Sequence, residues 1–180
     1  MGYKYHVAIS FANEDRNAAL ALALALELNG IKEIYYYPDK QPADAGKKLE
    51  HELKAIYSLE ARYIVILLSK KYFKKPTAMV ELEAIQQRMS REPNVVSVIP
   101  VKLHKGVSLK DHEGLKELQW LDWEFQPKRI VEGLLEIFKT NNIPINKETK
   151  QNIDRRDVFF KQVNRSKKSR DQSNNATLNL

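Results

Sequence analysis

The chain has 180 residues, 43% of them hydrophobic, which suits one ordinary domain with a real core plus a tail. It holds no cysteine, and that excludes a disulfide framework, a thiolate nucleophile and a cysteine-ligated zinc or iron–sulfur site, while fitting a reducing cytoplasm. The formal charge of +7 is uneven: residues 1–146 carry 21 Lys/Arg against 19 Asp/Glu, and residues 147–180 supply the remaining +5.

Tyr5–Phe11 (YHVAISF) is rich in β-branched and aromatic residues and stops at Asn13-Glu14-Asp15, so it reads as a strand. Asp15 to Asn29 is dominated by Ala and Leu and ends at Asn29-Gly30, a helix stop. Its Ala/Leu run from Ala18 to Leu26 is too short to span a bilayer and lacks a basic flank, so a soluble, unexported, cytoplasmic chain is expected. Ile34–Tyr37 reads as a second strand, entering a loop with Pro38, Asp39, Pro42 and Gly46. Lys47–Tyr57 places Leu49, Leu53 and Ile56/Tyr57 at helical spacing. Arg62–Ser69 (RYIVILLS) is nearly all apolar, as a strand buried on both faces of a parallel sheet must be. Thr77–Met89 reads as a helix and Val95–Val101 as another buried strand. Trp120–Trp123 forms a short last strand, and Pro127 opens a helix through Phe138. Beyond about Asn146 the apolar periodicity fades into Ser, Lys, Arg and Asn, so 147–180 is expected to be a basic, partly disordered tail behind a domain over 1–146. A protein that grips a nucleic-acid backbone carries its charge on a folded face, so the tail argues for solvation rather than nucleic-acid binding.

Strand–helix alternation of this size demands right-handed crossovers, hence a parallel sheet with helices on both faces. Such sheets bind ligands beyond the carboxyl ends of their strands. That edge gathers Phe11–Asp15, Tyr37–Gly46 and Ser69–Thr77. Familiar signatures are absent from it: no phosphate-binding G-x-x-x-x-G-K-[ST] or dinucleotide-binding G-x-G-x-x-G occurs, and Ser10 is not in a G-x-S-x-G elbow. His6, His51, His104 and His112 show no metal-ligand spacing, so no metal site is expected.

Four segments in order carry a resemblance. Tyr5–Arg16 (YHVAISFANEDR) is an apolar strand ending in Ser-Phe before an acidic turn. Tyr35–Leu49 (YYYPDKQPADAGKKL) is a strand and long loop ending in Gly and an amphipathic helix. Arg62–Tyr72 (RYIVILLSKKY) is a strand with a Leu-Ser-x-x-Tyr exit, and Thr77–Ala84 (TAMVELEA) opens the next helix. Over roughly residues 4–140 the chain resembles Toll/interleukin-1 receptor (TIR) domains. The resemblance implies a flavodoxin-like fold with a central five-stranded parallel sheet.

That family includes enzymes that hydrolyse or cyclise NAD and members that only scaffold signalling complexes. In the enzymes a Glu on the third helix is catalytic, and by position it is Glu81 here. A carboxylate suits this chemistry, because loss of nicotinamide leaves an oxocarbenium-like ribose whose developing charge a nearby anion stabilises. The leaving group is already cationic in NAD, so the acid–base pair of glycosidases is not required. From the residues alone Glu81 also reads as a solvent-facing helix residue like Glu83, which points roughly 200° away from it. The resemblance further implies that Phe11, Tyr37, Asp39, Ser69 and Thr77 line the substrate pocket, while Phe11 also reads as ordinary core at a strand end. Arg16 is placed either to reach phosphates or to be simply solvated, and Lys70, Lys71, Lys74 and Lys75 read as a wet loop with a pyrophosphate-holding role as the alternative. Thr77 stands where many TIR enzymes have a Trp, with Tyr72 or Phe73 as substitute aromatic surface. NAD is thus the expected substrate and no cofactor is needed. The products would be nicotinamide with ADP-ribose or a cyclic isomer, acting as a signal for a separate effector in Thoeris-like antiviral defence. Homo-oligomers through TIR–TIR contacts, using the loop Pro38–Gly46, are the expected partners. A non-catalytic TIR adaptor is the rival expectation, and a tail-anchored binder of acidic lipid or nucleic acid the third.

Overall fold

A computed structural model describes residues 2–37, 48–93, 95–109, 112, 114–123 and 127–141. Asp39, the loop 38–46 and the tail 147–180 lie outside the described residues. Five strands pair in parallel: β1 (Tyr5–Phe11), β2 (Ile34–Tyr35), β3 (Ala61–Leu68), β4 (Val98–Lys102) and β5 (Leu121–Asp122), in the order β2-β1-β3-β4-β5. This is the doubly wound, flavodoxin-like order. The chain leaves β1 toward β2 and then crosses to β3 on the other side, so the switch point lies between β1 and β3. Their register runs from Tyr5 opposite Ala61 to Phe11 opposite Leu67.

Two apolar layers sandwich the sheet, because alternate strand residues point to opposite faces. Val7 and Ile9 join α1 (Arg16–Leu28) and α4 (Pro127–Thr140) in one core through Leu22, Leu26, Ile130, Leu134 and Phe138. Ala8, Ile64, Ile66 and Leu68 join α2 (Leu49–Ala55) and α3 (Pro76–Arg91) in the other through Leu53, Leu82 and Ile85. Helix α1 ends where the chain composition expects: Gly30 adopts a φ of 89°, and its N–H reaches back to the Glu27 carbonyl at 3.0 Å.

Several boundaries differ from sequence expectation. Pairing in β4 begins only at Val98, opposite Ile64, and Val95 and Val96 are 55% and 61% exposed. β-Branched residues there imitate a strand with no partner strand beside them. The expected strand Ile34–Tyr37 keeps only its first two residues in the ladder, opposite Val7 and Ala8. Helix α2 does not stop at Tyr57 but runs into a π-helical turn, Ile56–Glu60, which buries Ile56 and Tyr57. Pro76 holds the first position of α3, preceded by an extended Lys75, as a residue before proline must be.

Arg88 is 1% exposed on α3 and ties the helix to the start of β3. Its Nη1 donates to the Ala61 carbonyl and its Nη2 to the Arg62 carbonyl at 3.0 Å, while Glu92 lies 3.7 Å from Nε. Replacing it with Met keeps the apolar stem and removes the donors to two carbonyls. Arg88→Met is expected to lose roughly 2–4 kcal/mol in urea unfolding. A loss well below 1 kcal/mol would show that water serves those carbonyls equally well.

Candidate active site

Helix α3 buries Ala78, Glu81, Leu82, Ile85 and Arg88, a face built on steps of three and four residues. Glu81 therefore occupies a core position of an amphipathic helix. Glu83 lies on the outer side, its side chain 57% exposed and 3.6 Å from Lys54. The expectation that Glu81 and Glu83 differ in direction follows from helix geometry, and the structure assigns the inner direction to Glu81.

Two hydroxyl groups face the buried carboxyl, and a third joins them through Ser10. Ser10, at the carboxyl end of β1, donates to Glu81 Oε2 at 2.5 Å. Tyr72 Oη lies 2.6 Å from the same Ser10 Oγ. Tyr57, delivered by the π-helical turn, donates to the Ile9 carbonyl at 3.0 Å and faces Glu81 as well. Burial is the largest influence on Glu81 and pushes its carboxyl up to about 8, although the Ser10 and Tyr57 hydroxyls pull the other way. Burial also raises Tyr57 and Tyr72 well above the ordinary phenol range, so both remain protonated donors near neutral pH.

A second polar cluster joins the exits of β1 and β3. Ser69 Oγ donates to Asp15 Oδ2 at 2.5 Å and accepts from the Lys71 and Tyr72 backbone N–H groups at 3.2 and 3.3 Å. Burial raises the Asp15 carboxyl, and the Ser69 hydroxyl opposes that. Beside it Lys75 pairs with Glu14 at 2.5 Å, and that pairing lowers the Glu14 carboxyl. Among the described residues no cluster of His, Cys, Asp and Glu has the makings of a metal site.

The residues expected to form the site are distributed as follows. Glu81 and Ser69 share one network through Tyr72 and Ser10. Tyr37 is half-buried against the same apolar layer as Glu81. Phe11 belongs to the opposite layer, stacked on Tyr36 with ring centroids 5.4 Å apart, because it follows Ser10 on a strand and so points the other way. Thr77 is exposed in the first turn of α3, and Asp39 is outside the described residues. Of the two aromatic substitutes for a Trp at Thr77, Tyr72 is wholly buried, and half-buried Phe73 stacks on His112. Arg16, Lys70, Lys71 and Lys74 are exposed near this edge.

Ser10, Tyr57 and Arg88 were not among the expected site residues. The signals for them were thin. A Ser flanked by apolar residues on a strand announces a buried hydroxyl, and the spacing of Ala78, Leu82, Ile85 and Arg88 announces the inner face of α3. The helical spacing of Leu49, Leu53 and Ile56/Tyr57 announces a buried Tyr57, but its meeting with Glu81 depends on the π-helical turn.

Residues 7–135 match the model of the TIR domain family. The chain belongs to that family. This TIR domain is similar to the 3′ cyclic ADP-D-ribose synthase AaTIR of Aquimarina amphilecti, with 36% identity over 90 residues. The aligned segment is 50% of this chain and 27% of that protein, so the chain spans about a quarter of its relative's length. Among solved structures it is similar to the TIR domain of the Toll-related receptor TRR-2 from Hydra magnipapillata, with a TM-score of 0.57 and 19% identity over 75% of this chain and 98% of that one. That likeness speaks to the fold alone. Among the described residues no helix is long and apolar enough to cross a membrane.

The raised carboxyl of Glu81 has a consequence for stability. Between about 4.5 and about 8 the folded chain holds a proton that the unfolded chain has released. The group's favourable contribution is thus complete below about 4.5 and is lost as pH rises through about 8. Glu81→Gln mimics the protonated acid at every pH. In urea unfolding from pH 4.5 to 9 the variant should gain on wild type as pH rises, by on the order of a few kcal/mol. A difference independent of pH would mean that the carboxyl titrates in the ordinary range.

Proposed function

We propose that this TIR domain is an NAD-cleaving enzyme that breaks the nicotinamide–ribose bond, giving nicotinamide and ADP-ribose or a cyclic ADP-ribose isomer. One observation carries the reading. Among the described residues Glu81 is the buried carboxylate, 6% exposed, and the groups bonded to it are hydroxyls rather than a cation. Burying an acid without a compensating positive charge costs stability, and perturbed acids of this kind cluster at functional sites. Glu81 also reaches β1 at the carboxyl ends of the strands next to the switch point, where open α/β sheets receive ligands.

In this reading the C1′–N bond breaks and its electron pair leaves with nicotinamide, which departs neutral. Positive charge develops across C1′ and the ring oxygen of the ribose, and the Glu81 carboxylate stabilises it. Water attacking C1′ yields ADP-ribose and releases a proton; a nucleophile within the ADP-ribosyl group yields a cyclic isomer. The named product of the Aquimarina amphilecti relative, a cyclic ADP-ribose, belongs to this chemistry and supports the reading at 36% identity. A diffusible product acting on a separate effector, as in Thoeris-like defence, is part of the same proposal. So is self-association: with so little of Glu81 exposed, substrate contact requires a rearrangement beside it, and TIR–TIR assembly supplies one.

A second reading, a TIR adaptor without catalysis, is favoured by one feature. Thr77 is an exposed residue where an aromatic wall is expected, and the ring of Tyr72 is committed to the core.

Nicotinamide release from NAD by concentrated protein separates the two. Glu81→Ala is expected to lose at least about a hundredfold in turnover, and Glu83→Ala to stay within about twofold. Turnover should climb with pH toward a plateau above about 8, as the carboxyl ionises. No release by wild type at any concentration would favour the adaptor, whereas equal losses in both variants would remove the special role of Glu81 and leave the activity standing. Activity per chain is also expected to rise with protein concentration, and a dilute monomer as active per chain as a concentrated sample would remove assembly from the account.

A further inference from the structure

We propose that Ser10 and Tyr72 are positioning residues for Glu81, their two hydroxyls forming one directed hydrogen-bond chain that holds its carboxyl in the inward rotamer. The inference rests on the reading of Glu81 as the carboxylate that meets the substrate, and it assigns a role to the Leu68-Ser69-Lys70-Lys71-Tyr72 exit of β3.

Counting protons gives the chain its direction. Ser10 Oγ has one proton and sits between two oxygen atoms, Glu81 Oε2 at 2.5 Å and Tyr72 Oη at 2.6 Å. When the carboxyl is ionised, Ser10 donates to it and Tyr72 donates to Ser10, so every oxygen in the chain is satisfied. Were Oε2 to carry the proton and donate to Ser10, the chain would reverse and Ser10 would donate to Tyr72. The Tyr72 proton would then need another acceptor in a fully buried site, and Ser10 is the hydrogen-bond partner of its hydroxyl. The geometry therefore favours the charged form of Oε2 and opposes the effect of burial.

Each link is held by a different element. Ser10 lies on β1 and is 0% exposed. Tyr72 begins the turn Tyr72–Lys74 after β3, where its backbone N–H meets the Ser69 carbonyl at 3.1 Å and Ser69 Oγ at 3.3 Å. Ser69 is itself anchored to Asp15 at the exit of β1. The Leu-Ser-x-x-Tyr pattern thus places a Ser that shapes the turn three residues before a Tyr that reaches the carboxyl through Ser10. The titratable groups facing Glu81 are Tyr57 from the π-helical turn and Tyr72 from the turn after β3; the Lys54–Glu83 pair sits on the outer side of α3.

The test is the titration of the Glu81 carboxyl in the full chain, followed by carbon-13 NMR of labelled Glu side chains and assigned with Glu81→Gln. Tyr72→Phe keeps the ring in the core, and Ser10→Ala removes a single oxygen from a strand; thermal melts establish that both are folded. Removing a donor to the charged form should move the midpoint upward by about one pH unit in Tyr72→Phe and at least as far in Ser10→Ala, a tenfold change in the ratio of ionised to protonated forms. Turnover of NAD by the same variants should shift its acid limb by the same amount, with kcat reduced about tenfold near neutrality and KM within about twofold. A midpoint unmoved in both folded variants would overturn the proposal and leave the hydroxyls as packing. Shifted midpoints in a chain whose wild type releases no nicotinamide would support the hydroxyl chain and sink the enzyme reading instead.

Discussion

The contact on which the rest of this molecule turns is the hydrogen bond from Ser10 to Glu81, made inside a largely apolar layer. A carboxyl taken out of water needs donors, and donors inside a sheet layer must come from side chains, because the strand N–H groups are occupied by the ladder. That requirement sets which face of β1 carries Ser10 and which face of α3 carries Glu81. It also sets how the chain leaves β3, since Tyr72 has to return to Ser10 immediately after the strand ends. A shift of one residue in β1 would send Ser10 to the layer of α1 and α4, and Phe11 would face Glu81 instead.

The same alternation divides the carboxyl edge of the sheet into two surroundings. On one face Glu81 is enclosed by Ser10, Tyr57 and Tyr72; on the other Phe11 stacks with Tyr36. Between them the Asp15–Ser69 bond joins the exits of β1 and β3, the two strands flanking the switch point. Topology alone brings every one of these residues to one edge, whereas side-chain direction decides which of them share surroundings.

Helix α3 buries two charged side chains along one stripe, and they serve opposite ends of β3. Arg88 satisfies the carbonyls of Ala61 and Arg62 where the strand begins, a stabilising arrangement of a cation with backbone acceptors. Glu81, two turns earlier, sits near the strand's exit and meets hydroxyls rather than a cation. The arginine is held by groups that suit its charge. The glutamate is held by groups that only partly suit its charge, and it is left poised to titrate near neutral pH. A helix that holds the sheet together at one end in this way keeps a buried, burial-raised acid at the other.

Much of this was determined by the sequence by itself. Apolar runs such as Arg62–Ser69 can persist only in a sheet covered on both faces, and their alternation with helical segments leaves a parallel sheet as the outcome. The four ordered segments carried the family, and the helical spacing that separates Glu81 from Glu83 was already present in the chain. Strand ends were less legible, as Val95 and Val96 illustrate, because β propensity says nothing about whether a neighbouring strand extends that far. The company of Glu81 was decided only by the tertiary structure. Ser10, Tyr57, Tyr72 and Glu81 are separated by up to 71 residues in the chain, and their meeting depends on sheet register, a π-helical turn and the packing angle of α3. No local periodicity encodes those three, because each is set by contacts between segments distant in sequence.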